Sequence, residues 1–404
     1  MENIGYFCIV KHSKTVFRTI FVLLAVCWTA LPTHANNEFS IEYYDSVEVS
    51  LLTCQPHDEV YSLYGHTVIR WNDRHAKGED LAFNYGVFDF RKPHFALRFV
   101  FGLTDYELGA YPYRLFLQEY RHFGSMVTEQ VLNLTNEEKA RLHIALAENL
   151  RPENCVYRYN YFYSNCTTKA RDIIEQCVNG HVEYAGKEDY TPSYRDMVHE
   201  MTRNNPWSRF GNDLLLGIKA DQKTNLRQQE FLPHNLMYDF DRAQINDNGN
   251  YRPLVLGQRT AVPAGVQVVK DGFPLSPLAC AIILLVLGIV LSVIQVRSKK
   301  IYQLWSALLM FVCGAIGIVL FLMLFSQHPT VSLNLQILFF NPVHWVFLWP
   351  VIRGKQTRYW YAVPVMALLF LIGGFFQHYA EGIYVLALCL LLQSILHIKS
   401  TRKK

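Results

Sequence analysis

Tyr159-Asn160-Tyr161-Phe162-Tyr163-Ser164-Asn165-Cys166-Thr167-Thr168-Lys169-Ala170-Arg171-Asp172 is the stretch on which the reading of this chain turns. With Tyr157 it opens as an extended aromatic run. Ser164 and Asn165 are residue types that cap helix N-termini. A helix is therefore expected from Cys166 or Thr167, through Arg171, Ile173 and Ile174, to Cys177. Cys166 then sits where free N–H groups and the helix dipole favour a thiolate. A cysteine nucleophile also needs an imidazole to move its proton and a group to orient that imidazole.

The preceding residues offer those partners on strands. Alternation predicts strands over 39–55, 60–71, 81–90 and 124–134. His66 falls near the start of the second, in Tyr64-Gly65-His66-Thr67, and Asn84 lies on the third. Asn84, Tyr64 and Asp89 compete as the orienting group. His94, His122, His143, His181 and His199 are rival imidazoles. Thr135 and Glu138 form a capping box for a helix running to about Leu150, and another helical region is expected over 193–203.

Charge divides the chain. Residues 36–274 hold 25 basic and 32 acidic residues, a net of −7. Residues 275–404 hold 10 basic residues and one acid, Glu381. That paucity excludes a wholly soluble, disordered or fibrous protein. The overall charge of +4 is no nucleic-acid signal, because the excess flanks apolar segments. Lys11, Lys14 and Arg18 precede an apolar run at 20–31, then Pro32 and Thr33-His34-Ala35. This is a secretory signal peptide or signal anchor over 1–35.

Five apolar segments are expected to span a membrane: 275–296, 301–325, 335–352, 361–376 and 384–398. Arg297, Lys299 and Lys300, then Arg353, Lys355 and Arg358, and finally Lys399 to Lys404 follow the first, third and fifth. The other two loops lack Lys and Arg. Positive loops stay cytoplasmic, so an exported domain over 36–240, a linker over 241–274 and a cytoplasmic C-terminus are expected. Asn341-Pro342-Val343-His344-Trp345 puts polar groups at membrane depth, with His344 either interfacial or facing substrate.

Nine cysteines are present, four of them exported: Cys54, Cys155, Cys166 and Cys177. A Cys155–Cys177 bridge is one pairing. No spacing suggests a metal site.

Several motifs then join the opening stretch. They are Leu51-Leu52-Thr53-Cys54, Glu59-Val60-Tyr61-Ser62-Leu63-Tyr64-Gly65-His66, Phe83-Asn84-Tyr85-Gly86-Val87-Phe88-Asp89-Phe90, Asp105-Tyr106-Glu107-Leu108-Gly109, Leu132-Asn133-Leu134-Thr135, Asp213-Leu214-Leu215-Leu216-Gly217 and Phe231-Leu232-Pro233. Together, over about residues 40–240 and in the membrane architecture, they resemble the Lnb-type lipoprotein N-acyltransferase family. Tyr64 and Cys155 depart from its pattern at packing positions. The resemblance implies an α+β, circularly permuted papain-like (NlpC/P60-like) periplasmic domain on an inner-membrane helical domain. It implies that an acyl chain moves from a phospholipid to the α-amine of a diacylglyceryl-cysteine lipoprotein. Cys166 would be the acylated nucleophile and His66 its base, and no cofactor is implied. Asn165, with Thr167 and the backbone beside Cys166, could hold the oxyanion, and Arg171 could meet a phosphate. The same dyad also suits a membrane-tethered cysteine peptidase or amidase, or a phospholipase. A non-enzymatic membrane module is the remaining alternative.

Overall fold

The computed structural model describes residues 40–401 apart from 90, 92, 187–190, 268–271 and 356. The expected targeting segment over 1–35 and the basic residues Arg402, Lys403 and Lys404 lie outside the described residues.

Strands β1 (Val47–Cys54), β2 (His66–Asp73), β3 (Asp80–Val87), β4 (Asp105–Pro112), β5 (Val127–Leu132) and β6 (Val156–Arg158) belong to one antiparallel sheet. β7 (His181–Glu183), β8 (Gln244–Asp247) and β9 (Asn250–Pro253) form a small second sheet. β10 (Val255–Val262) returns to the first, whose order is β10-β5-β1-β2-β3-β4-β6. Residues 244–262, expected within a linker, are therefore strands. Val255 and Val262 are buried, and the residues between them pair with β5.

Period-2 alternation builds the sheet's faces. Leu52, Cys54, Val68, Ala82 and Val127 bury one face against Phe116, Leu117 and Tyr120 of the helix Tyr113–Phe123. Thr67, pointing the other way, donates its hydroxyl to Thr167 at 3.1 Å in the helix Cys166–Cys177. The helix Asn136–Asn149 starts at the expected capping box of Thr135 and Glu138. The first expected strand is shorter than its alternation suggested, because Ile41–Ser46 is a 3-10 turn.

Among the described residues, three helices are long and apolar enough to cross a membrane: Pro277–Ser298, Gln303–Met323 and Ile383–Thr401. A fourth apolar helix, Tyr359–Gly373, is shorter. The expected span over 335–352 is broken into Leu335–Leu338, Val343–Val346 and Leu348–Ile352. Pro342 and Pro350 lack the N–H that a continuous helix needs. At the first break the Phe339 carbonyl is met inside the protein, as the lipid environment requires, accepting from Asn341 at 3.1 Å and from His344 Nε2 at 2.7 Å.

A polar latch joins the membrane helices to the segment before them. Gly217 N–H donates to Thr330 O at 2.8 Å and Ile218 N–H to Leu333 O at 2.9 Å. Asn334 and Gln377 both donate to the Leu216 carbonyl. A Cβ on Gly217 would lie 2.2 Å from Leu333 O, so only glycine fits this contact. Beneath the latch, Arg195 is 1% exposed and bonds Asp213 at 2.7 Å, Asp221 at 2.8 Å and the Leu216 carbonyl at 3.0 Å.

Removing one member of a buried, hydrogen-bonded charge set leaves uncompensated charge. Arg195→Ala is predicted to destabilise the detergent-solubilised protein by roughly 3–5 kcal/mol. Arg195→Lys should recover little, because lysine lacks the planar fork. Thermal unfolding followed by gel filtration checks this, and an unchanged midpoint in Arg195→Ala would contradict it.

Candidate active site

Strand β2 begins at His66, which pairs with Cys54 of β1. Gly65 precedes it at φ +75°, and a Cβ there would lie 2.6 Å from the Cys54 carbonyl oxygen. The turn that aims His66 therefore requires glycine. Asn84 comes from β3 at a register shift in its pairing with β4, between Asn84 and Val87. Gly86, inside that shift, packs directly on the imidazole. A Cβ on it would fall 2.5 Å from His66 Cε1.

Gly86 also fixes the chemistry of the imidazole. Its N–H donates to Asn84 Oδ1 at 2.6 Å, and His66 Nε2 lies 2.8 Å from the same oxygen. An atom accepting from a backbone N–H is the amide oxygen, so Nε2 carries a hydrogen and donates it. Nδ1 is then the nitrogen left for the thiol.

Cys166 is the first residue of its helix, capped by Asn165. The Asn165 oxygen accepts from the N–H groups of Thr167 and Thr168, both at 3.0 Å. Its amide nitrogen donates to Tyr161 O at 3.1 Å and Phe231 O at 2.9 Å. The oxygen is occupied in capping and the nitrogen on two carbonyls outside the helix. Asn165, expected as an oxyanion donor, thus has both amide hydrogens on main-chain carbonyls in this structure. The Thr167 N–H is likewise used by the cap, while its hydroxyl lies 3.8 Å from Cys166 Sγ. Among the described residues, the Cys166 N–H has no acceptor.

The electrostatics of Cys166 and His66 are linked, each group favouring the charged form of the other. Burial by itself pushes the Cys166 thiol up. The His66 charge and hydrogen bond, helped by the Thr67 N–H and the Thr167 hydroxyl, outweigh burial and hold it at about 7. Burial pulls the imidazole down, but the Cys166 charge, the bond to Cys166 and the Asn84 bond raise it to about 9. Both shifts run towards the charged forms, thiolate and imidazolium.

The remaining expected residues fall elsewhere. The Tyr64 hydroxyl accepts from Asn212 Nδ2 at 2.9 Å, and its ring meets Tyr161 edge-on with centroids 4.9 Å apart. Burial holds that phenol up at about 12, so Tyr64 is no base at neutral pH. Asp89 binds Arg91 in an exposed turn. His143 is bonded to Tyr44, His181 to Glu183 and His199 to Asp213.

Arg171, expected to meet a phosphate, has protein partners here. It is buried, with its guanidinium on Glu230 at 2.8 Å, Asp172 at 2.9 Å and the Arg227 carbonyl at 3.0 Å. His344 is likewise enclosed by protein groups. It is fully buried, with Nε2 on the Phe339 carbonyl at 2.7 Å and Nδ1 on the Tyr359 hydroxyl at 2.6 Å. The seven described cysteines are all free thiols, so Cys155 and Cys177 are not bridged. Among the described residues no three His, Cys, Asp or Glu side chains gather to hold a metal ion.

Sequence reasoning missed Gly86, Thr67 and Glu230. A glycine inside a strand pattern signals a close approach and could have exposed Gly86. Thr67 acts through its backbone and leaves no side-chain signal. Glu230 clamps Arg171 across 59 residues, a pairing no local pattern reveals.

Two predictions follow from this geometry. As pH rises through about 7 the thiol loses its proton, so peptide-resolved iodoacetamide alkylation of Cys166 should be half-maximal near pH 7. In His66→Ala the opposing charge is gone and burial dominates, so the midpoint should move up by more than one pH unit. Gly86→Ala should shift it in the same direction by displacing the imidazole, with the protein still folded by gel filtration. A midpoint unchanged in both variants would mean that His66 does not tune Cys166.

Comparison with known proteins agrees with this architecture. The model of the Lnb N-terminal periplasmic domain matches residues 38–204, and that of the Lnb transmembrane domain matches residues 269–404. No curated protein and no solved structure matches the chain. His66, Asn84 and Cys166 all lie in the first matched region, and the three long apolar helices lie in the second. Carrying a periplasmic domain and a transmembrane domain of one kind, in order, the chain belongs to the Lnb family.

Proposed function

We propose that this protein is a lipoprotein N-acyltransferase. It moves an acyl chain from a phospholipid, through a thioester on Cys166, to the α-amine of a diacylglyceryl-cysteine lipoprotein. The observation that carries the reading is the Cys166–His66–Asn84 arrangement in a periplasmic domain latched to membrane helices. Both substrates are membrane lipids, and the amine is a good acceptor for a thioester.

The steps follow from the side chains. The Cys166 thiolate attacks the carbonyl carbon of the glycerol ester. The oxyanion that forms lies within reach of the Cys166 N–H, which has no other acceptor among the described residues. The C–O bond breaks, and the imidazolium gives its proton to the departing glycerol oxygen. Lysophospholipid leaves and the acyl group stays on sulfur. The lipoprotein amine then attacks the thioester carbonyl, His66 Nδ1 takes the amine proton, and the thiolate departs as the amide forms. Asn84 keeps the imidazole in the tautomer and orientation that both steps need.

The domain reads as a circularly permuted papain-like fold, because the histidine and asparagine strands precede the cysteine helix in the chain. Five membrane passes, the inner membrane and a cytoplasmic C-terminus complete the proposal. Its support is that the two loops lacking Lys and Arg, around 327–334 and 377–382, are those that contact the residues preceding the membrane helices.

Wild-type protein supplied with phospholipid and a diacylated lipopeptide should yield an N-acylated lipopeptide, detected by its mass. Cys166→Ala should reduce the product at least a thousandfold, and Asn84→Ala about tenfold to a hundredfold. Free fatty acid without acylated lipopeptide would instead favour a phospholipase. Equal product from Cys166→Ala would remove the cysteine from the mechanism.

A further inference from the structure

Beside the nucleophile, five aromatic rings form a closed circuit of stacked contacts. Phe88 meets Phe95 at 5.9 Å and Tyr106 at 4.8 Å between centroids. Tyr106 meets Tyr159 at 4.0 Å, Tyr159 meets Phe99 at 6.3 Å, and Phe99 meets Phe95 at 6.3 Å. All five pairs lie within 28° of parallel. Tyr106 is buried, but Phe88, Phe95, Phe99 and Tyr159 are each only partly covered. The circuit reaches the candidate site through the chain: Phe88 follows two residues after Gly86, where a Cβ would lie 2.5 Å from His66 Cε1.

Its other end reaches the membrane helices. Phe99 and Phe101 lie in and just after the helix Phe95–Val100. Gln327 N–H donates to Phe101 O at 2.9 Å, and His328 Nε2 lies 3.0 Å from Phe99 O. The apolar helix Gln303–Met323 ends four residues before Gln327, so these contacts lie close to the bilayer surface. Leu97 and Leu103 are 51% and 36% exposed on this edge, and Phe325 beside the span is 66% exposed. Exposed apolar groups at that level suit a lipid surface. Charge fits as well: Arg98 and Arg158 share one carboxylate, Asp105, which puts two guanidinium groups at the rim.

We propose that the edge formed by Phe95–Val100 and Leu103 dips into the outer face of the bilayer and admits one glycerophospholipid. The acyl chain of that lipid lies along Phe99, Phe95, Phe88 and Tyr159 towards Cys166, with the phosphate at Arg98 and Arg158. The proposal rests on the acyltransferase reading for its purpose but not for its test.

The test uses full-length Cys166→Ala protein in nanodiscs containing a glycerophospholipid with a diazirine in its acyl chain. After irradiation, mass spectrometry maps the labelled peptides. Label is expected on peptides covering 88–106 and 157–163, besides the membrane helices. Adding Leu97→Glu with Leu103→Glu should reduce the first group at least fivefold and leave label on the helix Pro277–Ser298 unchanged. Leu97→Trp, compatible with an interface, should retain labelling and shows that the position tolerates change. Label confined to the membrane helices, or equal label in the Glu variant, overturns the path. Labelling needs no turnover. A labelled wall in a protein whose wild type makes no acyl product would overturn the acyltransferase and leave the lipid path standing.

Discussion

The charge pair we propose between Cys166 and His66 is the interaction on which the rest of the site depends. A half-buried thiol would by itself stay protonated, and a half-buried imidazole would by itself stay neutral. Each reverses the other's preference, so the pair holds only while both groups remain in contact. The surrounding structure serves that contact. Asn84 and Gly86 hold the ring from one side, and the Gly65 turn aims it. On the other side, the Asn165 cap fixes the first turn of the helix that carries the sulfur.

The same constraint extends towards the membrane. Asn165 is tied to Phe231 O, and Arg171, one turn along the helix, is clamped to Glu230. Tyr64, two residues before His66, is bonded to Asn212, whose neighbour Asp213 belongs to the buried Arg195 cluster. That cluster sits under the latch made by Thr330, Leu333, Asn334 and Gln377. The membrane helices are thus continuous, bond by bond, with the elements that position the nucleophile. For a reaction whose substrates are lipids, such continuity sets the height of the sulfur relative to the bilayer, which a flexible tether would not do.

What was legible in the sequence was local. The Asn165 cap, the start of the helix at Cys166, the capping box at Thr135 and the strand bearing His66 all rest on short-range patterns, and the structure contains each of them. Residues that depend on distant partners were not legible. Arg171 resembles an anion-binding arginine until Glu230 is found beside it, and His344 resembles an open polar group until Phe339 and Tyr359 close on it. The strand β10 was hidden in a polar stretch because it is an edge strand with one exposed side. Composition located the apolar segments, and Pro342 signals a kink, but the second break, at Phe347, was not legible.

The central claim is that Cys166 carries the acyl chain between two lipids. The direct measurement is peptide mapping by mass spectrometry of wild-type protein incubated with phospholipid and no acceptor. The account predicts a single acyl group on the Cys166 peptide, released by hydroxylamine and lost when diacylated lipopeptide is added. A folded protein whose Cys166 alkylates readily yet never carries an acyl group would contradict it.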